Sequence, residues 1–392
     1  MLRARVAEPL FRRLLRQYPV VTVTGPRQSG KTTLCRKVCP NIPYVSLENP
    51  DVRRRALRDP KSFLADVADG AVLDEIQRAP ELLSYLQGMV DEHPKPGRFV
   101  LTGSAQFEMM EGITQSLAGR TALIRLLPFS YREAHGKRKP SLEHLLYTGF
   151  FPRLFDKKLN PSEALAFYTS TYIERDVRAL VNVRNLSKFD LLLRLTAART
   201  AQTLNLSALG NDAGLNHNTV AQWLSVLETS FLVYRLRPHF KNFGKRLVKL
   251  PKIHFLDCGL ATYLMEITKP EQLKGHSARG PLFESYVVGE ILKGRYNLGL
   301  PAPLFFWRDN TGNEIDVLLD LGGTLFPIEI KSGKTVTDDF FKGLEFFRRV
   351  NPACRLAAVV YGGDDTYREG NTWVISFRDL HRLAKLDQDL EI

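Results

Sequence analysis

Cysteine is scarce in these 392 residues: Cys35, Cys39, Cys258 and Cys354 are the full set, with no CxxC pair and no Cys/His ligand spacing. That excludes a disulfide scaffold and a structural zinc site, and it fits a reducing compartment, so a cytoplasmic location is expected. Long apolar runs are absent as well. Charges interrupt every hydrophobic stretch before it reaches the roughly 18 residues that span a bilayer, so no membrane role is expected. Internal repeats and low-complexity linkers are also missing, which removes solenoids and disordered arrays. The first 21 residues are Arg-rich and nearly free of acid, a composition shared with transit peptides. They run straight into an apolar strand at Val20 with no spacer for cleavage, so they read as a helix belonging to the fold.

What is present is an ordinary globular composition, 44% hydrophobic and 25% charged, with room for two or three domains. The formal net charge is +13, and its placement says more than its size. Residues 1–280 carry 42 basic against 25 acidic residues, whereas residues 281–392 carry 13 against 17. A basic excess of this kind favours a polyanionic partner, and nucleic acid is the commonest.

Changes of pattern divide the chain. Residues 1–140 alternate short β-rich runs (VVTVTG, IPYVSLE, GAVLDE, GRFVLTGSA) with helical stretches, which predicts a parallel sheet flanked by helices. Residues 141–203 read as a helical lid or linker, with helices over 143–147, 161–180 and 186–201. Residues 204–280 read helix, turn, helix, hairpin, as in a winged helix, with Asn218 as N-cap and Val220, Trp223, Leu224, Leu227 and Phe231 as the apolar stripe. Residues 281–392 form a second α/β unit, with a helix at 282–292, strands in PLFFWRD, NEIDVLLDL, TLFPIEIKS and LAAVVYG, and a helix at 338–349 before the last strand.

The strongest motif follows the first strand and opens a helix: Gly25, Pro26, Arg27, Gln28, Ser29, Gly30, Lys31, Thr32, then Thr33. This is the P-loop spacing. Its amides and helix N-terminus cradle phosphate oxygens, Lys31 neutralises β/γ charge, and the Thr32 hydroxyl suits Mg²⁺. The expected ligand is therefore ATP with Mg²⁺. The strand GAVLDE ends in Asp74, placed for the metal, and Glu75, placed to activate water. The next strand ends in Thr102 and Ser104, whose hydroxyls suit the γ-phosphate. Arg120, after SLAG, is expected to reach a neighbouring subunit's nucleotide, which implies a homo-oligomer.

Two further constellations stand out. Between Arg235 and Lys252 there are seven basic residues (Arg235, Arg237, Lys241, Lys245, Arg246, Lys249, Lys252) and no acid, a composition suited to DNA phosphates. Farther on, Glu284 on a helix, Asp316 in a strand and the same-face pair Glu329 and Lys331 are expected to assemble a divalent-metal site, with Lys331 positioning a water or stabilising charge during phosphodiester cleavage.

The chain resembles prokaryotic AAA+ ATPases that pair an N-terminal ATPase core with a conserved C-terminal domain of unknown function. GPRQSGKTTL, LDEIQ, LTGSAQ, SLAGR, LLPFSYREA, YIERDV, GNEIDVLL and IEIKSG carry the likeness. The resemblance implies ATP binding at Gly25 to Thr32, Asp74 and Glu75, a winged-helix-like middle, and a C-terminal fold like that of restriction endonucleases and other PD-(D/E)xK nucleases. Ring-forming relatives imply an oligomer, with a hexamer as one form. The expected activity is ATP hydrolysis coupled to DNA binding or remodelling. An ATP-gated nuclease and a nucleotide-switched signalling or defence scaffold are the alternatives.

Overall fold

The computed structural model describes residues 3–104, 116–173, 186–239 and 250–386. The chain divides into two compact units: residues 1–129 with 229–231 and 296–300, and the remainder.

The first unit is built on five short strands, β1 (Val20–Thr24), β2 (Tyr44–Ser46), β3 (Ala71–Asp74), β4 (Phe99–Gly103) and β5 (Thr121–Arg125), all parallel and ordered β2-β3-β4-β1-β5. Every residue of β1, β3 and β4 is buried, as a sheet covered on both faces requires. Alternation along β1 sends Val20 into one core with Leu73, Leu86 and Leu101, and Val21 and Val23 into another with Phe11, Leu34 and Val100. Helices α1 (Glu8–Leu15), α2 (Lys31–Val38), α3 (Pro50–Arg58), α4 (Pro60–Ala65) and α5 (Leu82–Glu92) supply the covering layers. Because Thr24 pairs with Gly103 and Ser46 with Asp74, the P-loop and both carboxylates emerge at the carboxyl edge of one sheet. Ligands of open α/β sheets bind at that edge.

The second unit starts with helices α6 (Tyr131–His135), α7 (Leu142–Thr148), α8 (Pro152–Asp156), α9 (Pro161–Tyr168) and α10 (Leu186–Ala198). The expected helix over 161–180 is a regular α-helix only to Tyr168, and residues 174–180 lie outside the described residues. Then come β6 (Gln202–Thr203), α11 (Leu206–Ala213), α12 (His217–Thr229), β7 (Val233–Pro238) and β8 (Lys252–Phe255). β8 pairs antiparallel with both β6 and β7. Val220, Trp223, Leu224 and Leu227 are buried as their spacing predicts. Two details differ from the expectation. The cap of α12 is Asn216, whose side chain accepts from the Thr219 amide at 2.8 Å, because the helix starts a residue before Asn218. Phe231 lies past the helix end at φ 55° and so leaves the stripe.

The remaining elements are α13 (Cys258–Leu264), α14 (Arg279–Leu298), β9 (Leu304–Arg308), β10 (Glu314–Leu321), β11 (Thr324–Lys331), α15 (Lys342–Val350), β12 (Ala357–Tyr361), β13 (Tyr367–Glu369) and β14 (Thr372–Ser376). They extend the β6-β8-β7 group into one nine-stranded sheet, ordered β13-β14-β12-β11-β10-β9-β7-β8-β6. The β13/β14 hairpin is an addition to the strands expected from sequence. Among the described residues, no helix is long and apolar enough to cross a membrane, and all four cysteines are buried and free.

Candidate active site

The P-loop leaves β1 at Gly25, where a Cβ would lie 2.1 Å from the Leu126 carbonyl oxygen and φ is 151°. Only glycine fits that approach. The loop closes on Gly30 at φ 91°, and α2 begins at Lys31. Arg5, ahead of α1, braces the loop from behind. Its guanidinium donates to the Ser29 carbonyl at 2.6 Å and to the Leu127 carbonyl at 2.8 Å. The Ser29 and Thr24 hydroxyls are buried and make no hydrogen bond among the described residues. Buried polar groups are normally satisfied, so these two mark a place built for a polar ligand.

Lys31 is buried and donates to the carbonyls of Gly25 and Pro26, each at 2.9 Å. Burial pushes its ammonium down to about 8, against the pull of Glu75 and Asp74. The Thr32 hydroxyl lies 3.2 Å from Asp74 Oδ2, and Thr102 and Tyr44 donate to the same carboxylate. Three hydroxyls thus orient Asp74 beside Thr32. Burial, then the Asp74 bond, pushes the Tyr44 phenol up to about 12, which keeps it a donor. An oxygen-only pair of this kind suits a hard cation such as Mg²⁺.

Glu75 takes the left-handed conformation, φ 59° and ψ 47°, which is costly for a residue with a side chain and is typically retained where function demands it. Gln77 donates to Glu75 and, at 3.1 Å, to Ser104. Gln77 therefore ties the end of β3 to the end of β4. Apart from Arg120, the structure places the residues named from sequence for a nucleotide site along one edge, with Thr33 exposed on α2. Arg5, Tyr44 and Gln77 are the residues sequence reasoning missed.

Arg120 stands elsewhere. It precedes Thr121, which pairs with Val20, so it lies at the amino edge of the sheet, opposite the P-loop. There it makes a two-pronged ion pair with Asp91 of α5.

In the second unit, Glu284, Asp316, Glu329 and Lys331 converge as the strand pattern predicts, but with an unforeseen member. Lys252, grouped by sequence with the DNA-contacting cations, is 5% exposed and turned inward. Its ammonium lies 2.9 Å from Glu284 Oε1 and 3.9 Å from Asp316 Oδ1, and it pairs with Glu314. Lys252 is therefore no surface contact. Burial acts to lower its pKa, but the carboxylates of Glu284, Asp316 and Glu314 prevail and hold it above the ordinary lysine value. Burial and then Asp316 push Glu284 and Glu329 each up to about 8. Lys331 pairs with Glu329 at 2.7 Å, and Asp316 accepts from the Ile330 amide at 2.8 Å. Among the described residues, no three His, Cys, Asp or Glu side chains are gathered in a metal-ligating arrangement.

Of the other basic residues, Arg235 is paired with Glu228 of α12, which takes it from the expected set of open cations, and Arg237 is exposed. Lys241, Lys245, Arg246 and Lys249 lie outside the described residues.

A loop that binds phosphate, followed by a strand ending in Asp-Glu at the same sheet edge, defines a P-loop ATPase domain, and residues 17–135 match the family described as AAA domain. Residues 139–271 and 279–380 match two domains of unknown function, DUF8612 and DUF4143. The chain belongs to the family of the mycobacterial proteins Mb2031c of Mycobacterium bovis and Rv2008c of Mycobacterium tuberculosis. Each is described as an uncharacterized protein and is 30% identical over 95% of this chain and 83% of its own length. Among solved structures, the chain is similar to the Walker-type ATPase Paby2304 of Pyrococcus abyssi (15% identity, 66% of this chain and 94% of that one, TM-score 0.46). It is also similar to a single-substitution variant of Thermotoga maritima RuvB (15% identity, 59% and 86%, TM-score 0.27).

Proposed function

We propose that this protein hydrolyses Mg-ATP and couples the turnover to binding or remodelling DNA. The observation that carries the ATPase half is the edge where the P-loop, Asp74 and the Gln77-held Glu75 meet. Lys31 and the loop amides bind the phosphates, with the Ser29 hydroxyl as a further donor. Thr32 and Asp74 would hold the magnesium ion, which supplies charge neutralisation on the β- and γ-phosphates. Glu75 accepts the proton of the attacking water, Gln77 sets its position, and Ser104 carries that setting to the end of β4. Thr102, bound to Asp74, acts as a positioning residue.

The DNA half is supported by the basic, acid-free segment 235–252 and by the helix-turn-helix and antiparallel hairpin that flank it, a winged-helix order. Gln222 and Asn218 are exposed on α12, whose sequence contains no Arg, which favours sequence-tolerant phosphate contact over guanine readout. The carboxylate and lysine cluster on α14, β10 and β11 supports a nuclease-like fold for residues 281–392. Arg120 at the amino edge cannot serve its own P-loop. Its reading as a finger acting on a neighbour's nucleotide requires a homo-oligomer, a hexameric ring being one form, and release from Asp91.

ATP turnover measured with duplex, forked and single-stranded DNA tests the coupling, and stimulation is expected. Neutralising Lys241, Lys245 and Arg246 together should weaken binding to every sequence and flatten the slope of log K against log salt by about three. An unchanged slope, or turnover indifferent to all three DNAs, sinks the DNA half and leaves the ATPase half standing.

A further inference from the structure

We infer that the Glu284–Asp316–Glu329 cluster is a divalent-cation site whose cation position is held by the ammonium of Lys252, so that lysine and metal exclude one another. The inference rests on the nuclease-like reading of this cluster and deepens it, since it concerns what controls that site.

Alternation along β8 puts Ile253 and Phe255 on one face and Lys252 and His254 on the other, with all four buried. That face meets the carboxylates. Lys252 Nζ sits 2.9 Å from Glu284 Oε1 and 3.9 Å from Asp316 Oδ1, with Glu314 as its third partner. A charge buried to this degree is tolerated only when paired, and three carboxylates around one ammonium pair it more than fully. The cluster is richer in acid than a single lysine requires. Lys331 serves Glu329 through one oxygen, at 2.7 Å.

Two further groups show that the chemistry of this pocket is not exhausted by its ion pairs. Glu329 is 7% exposed, and its Oε2 makes no hydrogen bond among the described residues. His254 is fully buried; Nδ1 meets the Ser285 hydroxyl at 3.1 Å, which leaves Nε2 facing Glu284 Oε1 at 4.0 Å with no hydrogen bond among the described residues. Glu284 and Asp316 oxygens around the ammonium, with the His254 ring nitrogen facing Glu284, are donors of the kind that hold a divalent cation such as Mn²⁺ or Mg²⁺ once the ammonium is removed, while Glu329 Oε2 lies beside Gly343. Lys252 balances the charge of these carboxylates, and among the described residues no ready-made ligand triad is present.

The test uses the full chain, free of nucleotide and stripped with chelator, titrated with MnCl₂ and read by the electron paramagnetic resonance of free Mn²⁺. Lys252→Met should bind one more ion per chain than wild type, at least tenfold more tightly, and adding Asp316→Asn should remove that ion. Lys252→Met/Glu314→Gln deletes one charge of each sign and serves if the single variant fails to fold; it should show the same gain. If wild type already binds an Asp316-dependent ion as tightly as Lys252→Met, the exclusion by lysine is overturned while the metal reading stands. If folded variants bind no Asp316-dependent ion, both are overturned.

Discussion

Glu75→Gln should bind ATP with wild-type affinity and hydrolyse it slower by a factor on the order of 10²–10⁴, the usual worth of a positioned general base. The amide keeps the size and the contact with Gln77, so the loop and its left-handed backbone have no reason to change. What disappears is a carboxylate able to take a proton from water. Lys31, Thr32 and Asp74 are untouched, hence the phosphates are still held. Single-turnover phosphate release with binding of a fluorescent ATP analogue separates the two effects. Weak binding in this variant would instead make Glu75 a structural part of the phosphate cradle.

Gly149→Ala should cost the second unit on the order of 4 kcal/mol, from a left-handed backbone that penalises any side chain and from buried hydrogen bonds that must break. Gly149 has φ 68°, and a Cβ there would lie 2.2 Å from Asp257 Oδ1 and 2.9 Å from the Gly259 Cα. Asp257 cannot step aside. It is buried, caps α13 through the Leu260 amide at 2.9 Å, and accepts from the Phe150 amide at 2.8 Å. Burial pushes its carboxyl above the ordinary range, against the pull of the Lys293 ammonium and then of the Leu260, Phe150 and Gly259 amides. Phe150 stacks on Tyr286 at 5.6 Å and lies under the Lys293 ammonium, so a shift of this turn reaches α14. A fall of roughly 10 °C in the unfolding midpoint is expected by calorimetry, whereas an unchanged midpoint would mean the turn yields freely.

The nucleotide edge was legible because its signal is contiguous. Strand, glycine spacing, Lys-Thr and helix follow one another within a few residues, and a parallel sheet brings the second carboxylate strand to the same edge. Tyr44 and Arg5 were not legible, since they reach Asp74 and the P-loop only through strand pairing and a packed N-terminal helix. The basic segment misled at Lys252 for a physical reason: composition counts charges without their burial. The alternation Lys252, Ile253, His254, Phe255 carried the corrective signal, because a strand with two core aliphatic or aromatic residues turns both of the others to one face. Glu329 and Lys331 were placed together correctly by the same period-two argument. The α12 cap slipped from Asn216 to Asn218 because two asparagines two residues apart offer the same chemistry, and only the helix start decides between them.

ATP turnover is expected at the edge formed by the P-loop, Asp74 and Glu75. Phosphate release from Mg-ATP, measured side by side for wild type and Lys31→Ala, tests it most directly. Lys31 is the buried ammonium held at the mouth of α2, and alanine leaves the phosphates without their cation. Steady release by wild type, none when magnesium is chelated, and none from folded Lys31→Ala is the expected result. Equal release by the two proteins would contradict it.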